Sequence, residues 1–304
     1  MARRPSSPSA CWSAWQPLSA DWSPTPAVLA ETLDGGQAFG WWRDDAGVWT
    51  GRWLTHVVQL RLDSHRLEWR TVAGQESIAA PALSHYLGLD TDWSGLTDHL
   101  PWRTDAHLAT CQGNYPGLRI LRQPFCETLL GFLCSATKQI VQIKQMLALL
   151  AERHGEPLPA PVVTGGPLHC LPTWAEIAAV PEAELRLCQL GFRARYIRET
   201  AQFIIAHPGW LEETELLPYP AAKARLVELP GVGEKVADCV LLFGAGRLEA
   251  FPVDVWILKA LARRYGLDGW KPAQVAQFGR AHFGPLAGLA QQYLFSWERA
   301  QGGR

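Results

Sequence analysis

The chain has 304 residues, 48% of them hydrophobic and 19% charged, with a formal net charge of −1. That is an ordinary globular composition, long enough for about one to three domains and too neutral for a protein that coats nucleic acid nonspecifically. Its longest apolar runs are broken by charges well short of the ~20 residues of a membrane span.

Residues 1–23 begin Met-Ala-Arg-Arg-Pro-Ser-Ser-Pro-Ser-Ala, with two arginines and no apolar stretch behind them, so no signal peptide is expected. Their Pro/Ser content predicts a flexible, solvated arm. Residues 24–104 read as an antiparallel β-sheet domain. The stretch 46–62 is dense in β-branched and aromatic residues with period-two alternation. Asp44-Asp45 and Asp63-Ser64 supply turn chemistry, giving a meander over 24–72 packed on a helix or two.

From 105 to 304 the pattern is helical, so the fold class is α+β. Phe125 to His154 has helical apolar spacing, interrupted by the polar residues Ser135–Gln139. Further helices fit 173–179, 181–188, 194–206, 220–228, 234–245, 254–265, 272–282 and 285–300, punctuated by Gly191, Gly231, Gly266, Gly284 and Pro252. Most of the fifteen tryptophans lie in the first third and read as packing residues.

The seven cysteines are scattered and form no C-x-x-C pair, which supports neither a zinc site nor an iron–sulfur cluster. They read as reduced thiols of a cytoplasmic protein, and no metal ligand set is expected. Charge is uneven: residues 1–114 hold 8 Lys/Arg against 12 Asp/Glu, and residues 115–304 hold 20 against 17. A basic excess in the second part fits a local DNA-facing patch.

The chemistry concentrates between residues 229 and 254. Leu229-Pro-Gly-Val-Gly-Glu-Lys-Val-Ala-Asp-Cys239 is followed by Phe251-Pro-Val-Asp254. Gly231 and Gly233 allow a tight turn and a close approach. A helix starting at Glu234 or Lys235 would aim free N–H groups at an anion. Lys235 sits where the positive helix end disfavours a second charge, and a neutral lysine is a nucleophile able to form a Schiff base. Cys239 lies one helical turn further on the same face. Asp254 would start the next helix, either as a plain N-cap or as a carboxylate aimed at Lys235. Singly, each residue has a bland reading. Together, bracketing a Gly-Val-Gly turn, they point to a site.

These strings resemble the helix-hairpin-helix DNA glycosylases, and most closely the 8-oxoguanine DNA glycosylase/AP lyase family. The likeness runs from about residue 26 to 298. It includes Gly36-Gln-Ala-Phe39 with Trp41, Leu190-Gly-Phe-Arg-Ala-Arg-Tyr196, and Gly284-Pro-Leu-Ala-Gly-Leu-Ala-Gln291 through Phe295. It implies that Lys235 attacks the sugar C1′ to form an imine that β-eliminates, and that Asp254 stabilises the positive charge on the sugar. It also implies a phosphate grip at Gly231, Val232 and Gly233, where a monovalent cation would bind hairpin carbonyls. The target nucleotide must be flipped out. For base recognition the resemblance assigns the Gly36 carbonyl to the hydrogen on oxidised N7, Gln291 to the Watson–Crick edge, and Phe295 and Cys239 to the two base faces.

The chain departs from the family at its DNA-facing positions. Thr137-Lys138-Gln139 replaces an Asn-Asn-Asn run, and Gln142 replaces an arginine that reads the orphaned cytosine, while Arg193 is retained. Losing bidentate contacts worth about 1–3 kcal/mol each predicts weaker preference for cytosine opposite the lesion. Phe192 replaces a tyrosine wedge, and Trp256 stands in place of a phosphate-binding histidine. The expected partner is duplex DNA carrying a damaged base, bound by a monomer with no membrane role. A monofunctional alkylpurine glycosylase would lack Lys235. A non-catalytic hairpin DNA-binding protein would leave Lys235/Asp254 and Gln291/Phe295 unexplained. A Schiff-base enzyme of small-molecule metabolism would show βα alternation.

Overall fold

A computed structural model describes residues 10–18, 22–64, 66–163 and 168–302. The sheet part runs β1 (Gln16–Pro17), α1 (Pro26–Asp34), β2 (Trp41–Arg43), β3 (Trp49–Trp53), β4 (His56–Asp63), β5 (Arg66–Thr71) and α2 (Glu76–Tyr86). The strands pair antiparallel in the order β1-β5-β4-β3-β2. The turn chemistry works as read: the Asp44 carboxylate accepts from the Val48 N–H at 2.8 Å. Register sets Leu60 opposite both Trp49 and Trp69, so the alternating apolar residues share one buried face. Trp41 is fully buried there, its indole donating to the Tyr86 hydroxyl at 3.1 Å. Gly51 is demanded by contact, since a Cβ there would lie 2.5 Å from the Trp41 ring.

The flexible arm expected over 1–23 is corrected for residues 12–17. Trp12 bridges Val72, and Gln16–Pro17 pair with Trp69 and Glu68. The Arg61 and Arg70 guanidinia lie 4.3 and 4.4 Å from the Trp15 ring. Pro and Ser content suggested solvation, but an open β5 edge offers unpaired backbone groups and the tryptophans offer apolar faces. Residues 1–9 and 19–21 of that arm lie outside the described residues.

The helical part follows as α3 (Trp93–Asp98), α4 (Ala106–Asn114), α5 (Phe125–Leu133), α6 (Ile140–His154), α7 (Trp174–Ala179), α8 (Glu182–Leu185), α9 (Arg193–Ala206), α10 (Trp210–Leu216), α11 (Tyr219–Leu226), α12 (Glu234–Phe243), α13 (Val255–Tyr265), α14 (Pro272–Phe283) and α15 (Ala287–Gly302). Two differences from the sequence expectation matter. The helix expected over 181–188 stops at Leu185 and widens into a π-helical turn, Arg186–Leu190, with Gln189 left-handed at φ 61°. That turn delivers the chain to Phe192. The short α10 was not anticipated: it carries three glutamates and lies between Pro208-Gly209 and Pro218, which hides its buried Trp210 and Leu211.

Helix α12 is buried on nearly every side from Val236 to Phe243, with only its first turn open. Lys223 of α11 reaches across to Asp238 at 3.0 Å and Glu234 at 2.7 Å, and the Tyr219 hydroxyl donates to Asp238 at 2.7 Å. Burial pushes the Asp238 carboxyl up, and the Lys223 charge opposes it. This pairing locks the two helices of the hairpin and so fixes the axis that carries Lys235.

Candidate active site

The turn before α12 takes its shape from Gly231 at φ 80°, where a Cβ would meet the Tyr196 Cβ at 2.8 Å. Both conformation and contact require glycine there. Gly233 differs: it has φ −94°, and a Cβ would meet nothing within 4 Å. The close approach expected of both glycines therefore applies to Gly231 alone. The open side of Gly233 leaves the first N–H groups of α12 accessible. Thr200 Oγ1 donates to the Pro230 carbonyl at 3.1 Å and holds the turn from behind.

Lys235, in the first turn of α12, is half-buried. Its Nζ is 3.4 Å from Ser135 Oγ and 5.0 Å from the centre of the Phe132 ring. Ser135, read from sequence only as part of a polar interruption, is thus a direct neighbour of the candidate nucleophile. Cys239 lies one turn further in; burial raises its thiol to about 11, against the pull of the nearby Lys235 charge. It is an inert apolar surface rather than a reactive thiol.

Asp254 is the N-cap of α13, and it lines the same cavity as Lys235 without a direct hydrogen bond or ion pair to it among the described residues. Its Oδ1 caps α13, accepting from the Trp256 and Ile257 N–H groups at 3.0 and 2.9 Å. Burial raises its carboxyl above the ordinary carboxylate range, opposed by those capping bonds and by the Lys235 charge.

Gly36, Cys239, Gln291, Phe295, Lys235 and Asp254, separated by up to 259 residues, line one cavity of about 50 Å³. Gly36 has φ 104°, and its missing Cβ would lie 3.8 Å from the Phe295 ring. Its loop is pinned by Gln37, which donates to the Arg119 carbonyl at 2.9 Å and accepts from the Leu121 N–H at 3.0 Å. The sequence alone offers no signal for this role of Gln37. Gln291 is 4% exposed, and its Oε1 has no hydrogen-bond partner among the described residues. A buried acceptor without a donor is costly and marks a place where a ligand supplies one. The cavity holds about one or two waters, so it must open to admit a purine.

The DNA-facing expectations divide. Phe192 is 52% exposed beyond the π-helical turn, as a wedge requires. Exposed Thr137 stands at φ 56° on the loop between α5 and α6, beside half-buried Lys138 and exposed Gln139. Gln142 Oε1 accepts from the Gln139 N–H at 3.1 Å and so caps its own helix. Arg193 is 3% exposed; it donates to the Leu190 carbonyl, the Ala136 carbonyl and Thr137 Oγ1, and it stacks on Phe192. The structure brings Arg193 under the 136–137 loop rather than to the surface. Trp256 is half-buried, packed where a Cβ on Gly302 of α15 would collide with its ring. Among the described residues no group of three or more His, Cys, Asp or Glu could hold a metal ion, and no helix is long and apolar enough to cross a membrane.

A five-stranded sheet joined to a helical unit, with a lysine and an aspartate lining a small cavity beside a helical hairpin, defines a base excision glycosylase scaffold. The 8-oxoguanine DNA glycosylase N-terminal domain matches residues 21–129, and the HhH-GPD superfamily of base excision DNA repair proteins matches residues 130–282. The N-glycosylase/DNA lyase OGG1 of Arabidopsis thaliana is 30% identical over 299 residues, 92% of this chain and 79% of that protein. The N-glycosylase/DNA lyase of Saccharomyces cerevisiae is 31% identical over 265 residues, 80% of this chain and 69% of that one. The Clostridium acetobutylicum 8-oxoguanine glycosylase/lyase, in complex with duplex DNA containing cytosine opposite 8-oxoguanine, superposes with a TM-score of 0.83 at 31% identity, covering 90% of this chain and 92% of that one. The chain belongs to the HhH-GPD superfamily of base excision DNA repair proteins, in the branch that carries the 8-oxoguanine glycosylase N-terminal domain.

Proposed function

We propose that this protein is a bifunctional DNA glycosylase and AP lyase that flips 8-oxoguanine out of duplex DNA, releases it through a Lys235 Schiff base and nicks the strand by β-elimination. The observation that carries the reading is the meeting of Lys235, Asp254, Gly36, Cys239, Gln291 and Phe295 on one cavity, with an unpartnered acceptor on Gln291. As the glycosidic bond breaks, the base leaves with the bonding pair and positive charge grows on the sugar. The Asp254 carboxylate, held by its two capping bonds, stabilises that charge. Lys235 Nζ then gives its lone pair to C1′ and loses one proton; the C1′–O4′ bond breaks, O4′ takes a proton, and the nitrogen lone pair forms the imine of the opened sugar. Loss of a C2′ proton expels the 3′ phosphate.

Cys239 and Phe295 supply the apolar faces between which the base stacks, and the Gly36 carbonyl accepts the N7 hydrogen that only the oxidised purine carries. The open first turn of α12 beside Gly233 grips a backbone phosphate. A monovalent cation on the carbonyls of 230–233 would add charge there without entering the chemistry. The protein acts on duplex DNA as a monomer. With Gln142 engaged in its own helix cap and Arg193 buried, discrimination for cytosine opposite the lesion is weak.

Borohydride trapping on duplexes with 8-oxoguanine opposite each of the four bases tests this. Wild type should give a covalent complex with all four partners, within about tenfold of one another, and Lys235→Gln should give none while still binding DNA. Base release from alkylated DNA without trapping would instead indicate a monofunctional enzyme.

A further inference from the structure

Gln292, the residue after Gln291 on α15, has no role in the reading above. It is 2% exposed, it lines the same cavity, and its Nε2 is a buried donor without a partner among the described residues. Gln291 presents the complementary defect, a buried acceptor without a donor. The two amides belong to adjacent residues, yet they do not pair with each other. Successive side chains on a helix diverge by about 100° and do not face one another. Two buried unsatisfied atoms of opposite kind, on adjacent residues that line one cavity, cost stability unless a third body satisfies both.

From this pair we infer that Gln292 is a further specificity-determining residue, donating from Nε2 to the carbonyl oxygen at C6 of the extruded purine while Gln291 Oε1 accepts from the neighbouring N1–H. The inference rests on the oxidised-purine reading and deepens it. An oxopurine of the guanine type carries a ring N–H donor beside a carbonyl acceptor on one edge, matching the acceptor–donor pair on α15. An adenine-type base presents an amino donor at C6, which would meet the Gln292 N–H head-on. Gln292 therefore selects between two purines that share the same oxidised five-membered ring, where the Gly36 carbonyl cannot.

The test measures binding in a Lys235→Gln background, with duplexes carrying 8-oxoguanine, 8-oxoadenine, guanine or a base-free tetrahydrofuran residue at one position. Gln292→Leu, close in size and unable to donate, should weaken the 8-oxoguanine duplex by about tenfold or more. The tetrahydrofuran duplex, which offers no base to read, should change by less than about threefold, as should 8-oxoadenine. Gln292→Glu, which once ionised can only accept, should at alkaline pH lose 8-oxoguanine similarly and shift the ratio toward 8-oxoadenine by about tenfold. Unchanged 8-oxoguanine binding in both variants, or equal weakening on every duplex, would overturn the assignment of Gln292. If the parent Lys235→Gln protein did not prefer 8-oxoguanine over guanine, the oxidised-purine reading itself would fail, and this inference with it.

Discussion

Asp254 illustrates how one side chain carries a structural and a chemical duty. Its raised carboxyl gives the protonated folded state an advantage that is fully present below the ordinary value of 3.8 and is lost as pH rises through the higher folded value. Asn caps a helix as well as Asp and never ionises. Asp254→Asn should therefore match wild type in thermal stability near pH 3.5, exceed it increasingly as pH rises from 3.8 through the raised folded value, and keep a constant margin above that. Base release by the same variant should fall by about a hundredfold or more, the scale of losing one transition-state charge stabiliser. The acid limb of the wild-type pH–rate profile should lie above 3.8, because the carboxylate form is the one that stabilises the sugar cation. Parallel melting curves and single-turnover rates across pH check both points; equal stability of the two proteins at every pH would contradict the desolvated carboxylate.

At the scale of elements, the hairpin between α11 and α12 separates two glycines that the motif presents as equivalent. Gly231→Ala imposes a Cβ at positive φ and against Tyr196, and should cost about 1–3 kcal/mol of stability. Gly233→Ala meets open space in an ordinary conformation, so its effect on stability should stay within about 0.5 kcal/mol. That methyl would instead stand at the open helix end and weaken DNA binding. Denaturant melts alongside DNA titrations separate the two, and equal destabilisation would show that the open side of Gly233 is not free. The motif was fully legible in sequence, but which glycine serves the fold and which the ligand was not, because the neighbour that decides it, Tyr196, is 35 residues away. The π-helical turn at 186–190 was hidden for a similar reason. Its residues carry ordinary helix-forming side chains, and only packing around Cys188 and Leu190 sets the left-handed Gln189.

Over the whole molecule, the sheet part and the helical part meet at the cavity. Gly36 comes from the chain just after α1, while the other five residues of the reading come from α12, α15 and the start of α13. Glu31 and Asp34 of α1 pair with Arg299 of α15 and Lys144 of α6, tying the parts together around that opening. The N-terminal segment contributes at the far edge of the sheet. Trp15→Ala should lower stability by about 1–2 kcal/mol through loss of its stacking on Arg61 and Arg70, with base release at moderate temperature unchanged. A melt indistinguishable from wild type would return that segment to the flexible arm expected from composition.

By itself the sequence determined the α+β class, the helical hairpin, and Lys235 with Asp254 as candidates, while Gly36, Cys239, Gln291 and Phe295 became candidates for base recognition only through the family resemblance of their motif strings. Those features are local: turn residues, helical spacing and motif strings are written in short windows of chain. Tertiary structure alone decided that Asp254 both caps and faces the site, that Ser135 neighbours Lys235, that Arg193 is buried, and that Gln292 shares the unsatisfied core of the cavity. Each depends on desolvation and on contacts between residues far apart in the chain, and burial of a polar atom has no signature in the residues beside it.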